Sequence, residues 1–136
     1  MSTSTGSTLT HLECTFTGKT FPADQLINVS PAGKVLYPRY DLAAAKQRLT
    51  KSMLKERPSN LWRYKEVLPI LWDENIVSLY EGFTPLLHLP RLAERTGIDR
   101  LLVKDEGLNP TGSFKARGMA AAVSKAKELG AKALAV

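Results

Sequence analysis

The chain has 136 residues, is 43% hydrophobic and 24% charged, and carries a net charge of +6, the length of one domain and the composition of a globular protein in water. No apolar run approaches the roughly 20 residues of a membrane helix, and residues 1–10 have neither the apolar centre of a secretory signal nor the Arg of a transit peptide. A cytoplasmic setting without membrane attachment is expected. With Cys14 as the single cysteine, an intramolecular disulfide and a Cys-rich zinc site are both excluded.

Residues 1–10, rich in Ser and Thr, read as a flexible tail. Residues 9–40 read as short extended pieces. Turn signals at Thr17-Gly18-Lys19 and Ser30-Pro31-Ala32-Gly33-Lys34 suit two small hairpins. Cys14, three residues from His11, is read as strand or loop packing rather than as a nucleophile.

Asp41 caps a helix expected from Leu42 to about Arg57, where Leu42, Ala45, Leu49, Met53 and Leu54 recur at helical spacing and Pro58 stops it. A second helix is expected from Leu61 to about Leu68. Much of the positive charge lies here, on Arg39, Lys46, Arg48, Lys51, Lys55, Arg57, Arg63 and Lys65 against Asp41 and Glu56. No nucleic-acid-binding signature accompanies it, so a solvated helix face is the plainer reading and no nucleic-acid partner is expected.

Glu81-Gly82-Phe83-Thr84-Pro85-Leu86 reads as a loop entering a short strand. Pro90–Thr96 is a short helix, with Pro in its first turn and Gly97 past its end. Leu101-Leu102-Val103 is a strand and Gly107–Gly112 a loop. Ser113 to about Leu129 is an Ala-rich helix closed by Gly130, and Ala133–Val136 opens another strand. The order strand, loop, helix, strand over 101–136 makes a βαβ unit, hence an α/β fold with a parallel sheet and flanking helices. So few strands do not close such a core, and the sequence reads as part of a longer protein.

The chemistry concentrates in Lys104-Asp105-Glu106-Gly107-Leu108-Asn109-Pro110-Thr111-Gly112-Ser113-Phe114-Lys115-Ala116-Arg117-Gly118. It sits at the carboxyl end of a strand, where open α/β sheets bind ligands. Lys115 falls in the first helical turn, where the positive end of the helix dipole, and burial as well, favour the neutral amine that Schiff-base formation requires. On composition alone a surface lysine beside a Ser113 cap is the plainer account.

Asn-Pro-Thr-Gly-Ser-Phe-Lys-x-Arg-Gly at 109–118 resembles the lysine motif of threonine synthases, within the fold-type II pyridoxal-phosphate (PLP) enzymes. Glu81–Leu86 and the strand entering the motif resemble the family's preceding segments. The resemblance implies three regions: the tail at 1–10, a small zinc-ribbon-like leader at 11–40, and at 41–136 an N-terminal, incomplete portion of the PLP-dependent α/β fold. In the leader Cys14 keeps one ligand position, Thr17 replaces a second and 30–34 lack the other pair, so no metal is expected.

The resemblance further implies Lys115 as the catalytic and cofactor-binding lysine and Phe114 packed against the PLP ring. Asn109, Thr111 and Ser113 would shape the loop, Thr84 would approach the site or serve its turn, and Arg117 would form a structural ion pair. Ala116 stands where many relatives carry Asp. The implied reaction converts O-phospho-L-homoserine and water to L-threonine and phosphate, with a homodimer as the implied assembly. The substrate loop and phosphate cradle would lie beyond Val136, so the sequence as it stands is expected to be inactive. Alternatives are another fold-type II enzyme, such as a threonine dehydratase or cysteate synthase, and a non-catalytic basic binding protein.

Overall fold

The computed structural model describes residues 2–135. Strands β1 (Leu9–Cys14), β2 (Thr20–Phe21) and β3 (Leu36–Tyr40) form an antiparallel sheet in the order β2-β1-β3. Cys14 pairs with Leu36, and Leu12 with both Phe21 and Pro38. Two hairpins were expected, but there is one. Residues 30–34 close into a turn of their own, with Ser30 N–H on the Lys34 carbonyl at 2.8 Å and Lys34 N–H on Ser30 Oγ at 3.3 Å. The chain then returns to the far edge of β1. Cys14 is buried at the head of this sheet, its Sγ 3.1 Å from Ser30 Oγ, in keeping with a packing role.

Where a flexible tail was expected, residues 3–8 lie along 66–73. Thr5 and Thr8 are buried. Thr5 Oγ1 donates to the Ile70 carbonyl at 2.5 Å, Ser7 Oγ to that of Leu68 at 2.6 Å and Thr8 Oγ1 to that of Glu66 at 3.0 Å. Composition suggested disorder because Ser and Thr bury little apolar area. Their hydroxyls instead satisfy backbone carbonyls along 66–70.

The helix expected over 42–57 is two. Helix α1 (Leu42–Arg48) starts at Asp41, whose carboxylate accepts from Ala44 N–H at 2.9 Å. Leu49 and Thr50 are extended, and helix α2 (Lys51–Glu56) restarts with Thr50 Oγ1 accepting from Met53 N–H. A hydroxyl able to cap the next turn competes with continuation of the helix. Of the anticipated apolar stripe only Ala45 is buried, while Leu42 and Met53 are exposed. Leu61–Val67 is 3-10, capped by Asn60 and kinked at Tyr64.

Strands β4 (Leu86–His88) and β5 (Leu102–Lys104) flank helix α3 (Pro90–Thr96) and pair antiparallel. No parallel pairing occurs among the described residues. The expected strand at 133–136 is unpaired coil through Ala135, and Val136 lies outside the described residues. The short connection through α3 brings β4 beside β5, and among the described residues the ladder has no covering layer: Leu86, Leu87, Leu102 and Val103 are all exposed. The architecture is thus helices with two small antiparallel sheets in place of the expected parallel sheet.

Helix α4 (Lys115–Glu128) is the longest element. Gly130 (φ +74) ends it, its N–H on the Lys127 carbonyl and that of Ala131 on the Ala126 carbonyl, the Schellman pattern. Its far half is fastened to residues 71–77. Ser124, fully buried, accepts from Val77 N–H at 2.9 Å. Glu128 accepts from Leu71 and Trp72 N–H at 2.8 and 3.1 Å and from Lys125 Nζ at 2.7 Å.

Candidate active site

Between β5 and α4 the chain makes two tight turns. Asp105 caps a 3-10 turn at Glu106–Leu108, accepting from Gly107 N–H at 3.1 Å. Gly112 (φ +66) then donates its N–H to the Asn109 carbonyl at 2.7 Å. Ser113 Oγ accepts from Lys115 N–H at 3.2 Å just ahead of α4, whose first helical residue is Lys115 and whose N-cap is Phe114. Ala116, buried, faces inward, while Lys115 and Phe114 are exposed, Phe114 by 66%. Burial was expected to help keep the Lys115 amine neutral, but Lys115 is exposed, because among the described residues no layer covers this face of the helix.

Glu106 fastens this turn. Arg117 Nε and Nη2 donate to its two carboxylate oxygens at 2.7 Å each, Thr84 Oγ1 donates at 2.6 Å and Asn109 Nδ2 at 3.0 Å. The Arg117 guanidinium, and then the Thr84 hydroxyl, hold the Glu106 carboxyl well below the usual carboxylate range. Arg117 is correspondingly raised by Glu106. Arg117 thus makes the ion pair expected of it. Asn109 is buried, and its Oδ1 accepts from Gly82 N–H at 2.9 Å, a loop-shaping role. Thr84 serves the clip with its hydroxyl, and its carbonyl accepts from Lys104 Nζ. No hydrogen bond engages the Thr111 side chain among the described residues.

The Glu81–Leu86 loop is therefore one construction with the lysine loop. Glu81 is buried, accepting from Ser78 Oγ and from Leu79 N–H at 2.8 Å. Gly82 has φ +96, and a Cβ there would stand 2.8 Å from Arg117 Nη1 and 2.9 Å from Leu61 N. Gly82→Ala should cost about 2–3 kcal/mol, from the backbone conformation and the clash together. Gly112→Ala, also at positive φ but with nothing within 4 Å of the added carbon, should cost about 1 kcal/mol. Urea denaturation of the two variants gives the comparison.

Glu106 was not singled out in the sequence. Its only linear signal is an acid three residues before Asn109 and eleven before Arg117, spacings that gain meaning only after the loop folds. The basic stretch, by contrast, loses its coherence on folding. Arg39 pairs with Glu13, Arg57 with Glu66 and Lys65 with Asp73. Arg48 donates to the Gly6 carbonyl and Arg63 to that of Leu54. Among the described residues no group of three or more metal-ligating side chains occurs, and no helix is long and apolar enough to cross a membrane.

Residues 77–136 match the family described as "Pyridoxal-phosphate dependent enzyme". The threonine synthase of Methanocaldococcus jannaschii is 44% identical over 117 residues, which are 86% of this chain and 29% of that protein. That of Methanosarcina acetivorans is 41% identical over 126 residues, 92% of this chain and 30% of that protein. That of a Synechocystis species is 56% identical over 72 residues, 52% of this chain and 19% of that protein. The chain thus spans less than a third of the length of these relatives. Residues 77–136, which carry both loops and Lys115, are thus similar to the pyridoxal-phosphate-dependent enzyme family, and the relatives the chain resembles are threonine synthases.

Proposed function

We propose that this chain forms the cofactor-lysine portion of a PLP-dependent threonine synthase acting on O-phospho-L-homoserine and water to give L-threonine and phosphate. The observation that carries the reading is the placement of Lys115. It is an accessible primary amine on the first turn of α4, at the mouth of a loop locked by Glu106 and Asn109. The residues present fit one end of the cofactor, since a primary amine is what an aldehyde takes and the uncovered Phe114 ring offers a face for a flat heterocycle.

When bound, PLP supplies the electron sink for bonds broken at the substrate's α carbon. Lys115 would hold the cofactor through its amine and, when that amine is free, would move protons at the substrate's α and β carbons. Phe114 orients the ring, and the clip behind it keeps the turn in register. The leader, residues 11–40, is a metal-free relative of a zinc ribbon in this reading, and the protein works in the cytoplasm as a homodimer. The names of the relatives support threonine synthase over a dehydratase or a cysteate synthase.

The test uses a polypeptide of threonine-synthase length that carries this chain. With PLP and O-phospho-L-homoserine it should release phosphate and threonine in equal amounts. Release of a 2-oxo acid and ammonia from L-threonine, with O-phospho-L-homoserine left unchanged, would move the reading to a dehydratase. Borohydride reduction with PLP should leave a pyridoxyl group on the Lys115 peptide, and labelling spread evenly over the lysines would remove the cofactor assignment.

A further inference from the structure

We propose that Glu106 is a positioning residue for Lys115, acting through Arg117 and Thr84; the inference rests on the reading of Lys115 as the cofactor lysine. Glu106 touches nothing that reacts. Its carboxylate receives Arg117 from the first turn of α4, Thr84 from the preceding loop and Asn109 from the lysine loop, all at 2.6–3.0 Å. Three separate segments therefore meet on one side chain, and Asn109 adds a link to the Gly82 backbone.

Helix geometry converts this into an aim. Successive residues turn by about 100°, so Arg117 lies about 200° round the helix from Lys115. Fastening Arg117 inward, with Ala116 buried between, turns Lys115 outward. A bidentate guanidinium–carboxylate pair fixes rotation as well as distance, which a single point contact does not. The helix start offers little restraint of its own. Phe114 makes no side-chain cap, and the Ser113 hydroxyl bonds at 3.2 Å. Without Glu106 the first turn would be free to fray, and the amine would sample directions it does not take here.

A merely structural ion pair predicts lower stability and no change in which lysine reacts. A positioning role predicts that Lys115 loses its advantage over other exposed lysines. A polypeptide of threonine-synthase length that carries this chain is treated with PLP, reduced with borohydride at a series of pH values and mapped by mass spectrometry. Labelling of Lys115 is divided by that of the exposed Lys51 in the same molecule, and folding is followed by circular dichroism. Preferential labelling of Lys115 in the unaltered chain should fall about tenfold in Glu106→Gln and Arg117→Lys and be partly restored in Glu106→Asp. Should Glu106→Gln not fold, Thr84→Val, which removes one bond and no charge, should still lower the ratio a few-fold. An unchanged ratio in the folded variants overturns the inference while leaving Lys115 in its role. No preference in the unaltered chain overturns the role of Lys115 itself, and the inference with it.

Discussion

Lys115→Ala should remove the borohydride-trapped pyridoxyl label from its peptide, and in a polypeptide of threonine-synthase length it should lower turnover on the order of 10²–10⁴-fold. Lys115→Arg should fail equally, because a guanidinium stays protonated and offers no free amine to an aldehyde. Neither change should matter to folding. The side chain is exposed and makes no ion pair among the described residues, so stability should stay within about 0.5 kcal/mol of the parent. Peptide mapping, a phosphate-release assay and a thermal melt on the same samples separate loss of chemistry from loss of structure. Turnover surviving in Lys115→Ala would assign the cofactor to another amine.

The elements that the sequence announced correctly are those with local punctuation. Helix α3 runs Pro90–Thr96 because Pro presets its first turn and Gly97 (φ +68) its end. Helix α4 is legible for the same reason, through the Ser113 hydroxyl and Gly130, and Asp41 marks the start of α1. Lys115 was singled out because its motif is contiguous. What escaped depends on partners distant in the chain. Thr50 caps α2 only because α1 stops, and the hydroxyls of Thr5, Ser7 and Thr8 show their use only against carbonyls about sixty residues away. The parallel unit expected over 101–136 is not formed among the described residues, where β5 pairs with β4 and 133–135 are coil, because a run of Leu and Val does not say which strand it will pair with. Glu106, Ser124 and Glu128 looked like ordinary helix and loop polarity, and their weight lies wholly in tertiary hydrogen bonds.

Among stability effects, the largest is expected at Glu66. It is 3% exposed, and Arg57 grips it with two bonds of 2.5 and 2.8 Å while also donating to the Arg63 carbonyl at 2.6 Å. The backbone carbonyl of Glu66 accepts from Thr8 N–H and Thr8 Oγ1, so the N-terminal segment, the end of α2 and the 3-10 helix all meet at this residue. Glu66→Ala leaves Arg57 half-buried without its partner and should cost about 3–5 kcal/mol, whereas replacing both residues by apolar ones of similar volume should cost much less. The same pair sets a pH dependence. Arg57 holds the Glu66 carboxyl below its ordinary value of 4.5. The unfolded chain therefore binds this proton more readily than the folded one. The pair's contribution should be complete above pH 4.5 and be lost as the pH falls from there through the lowered folded value. Urea denaturation from pH 7 downward should show a steeper acid loss in the parent than in Glu66→Gln. Parallel curves would mean that the pair forms in the folded state without favouring the ionised carboxylate.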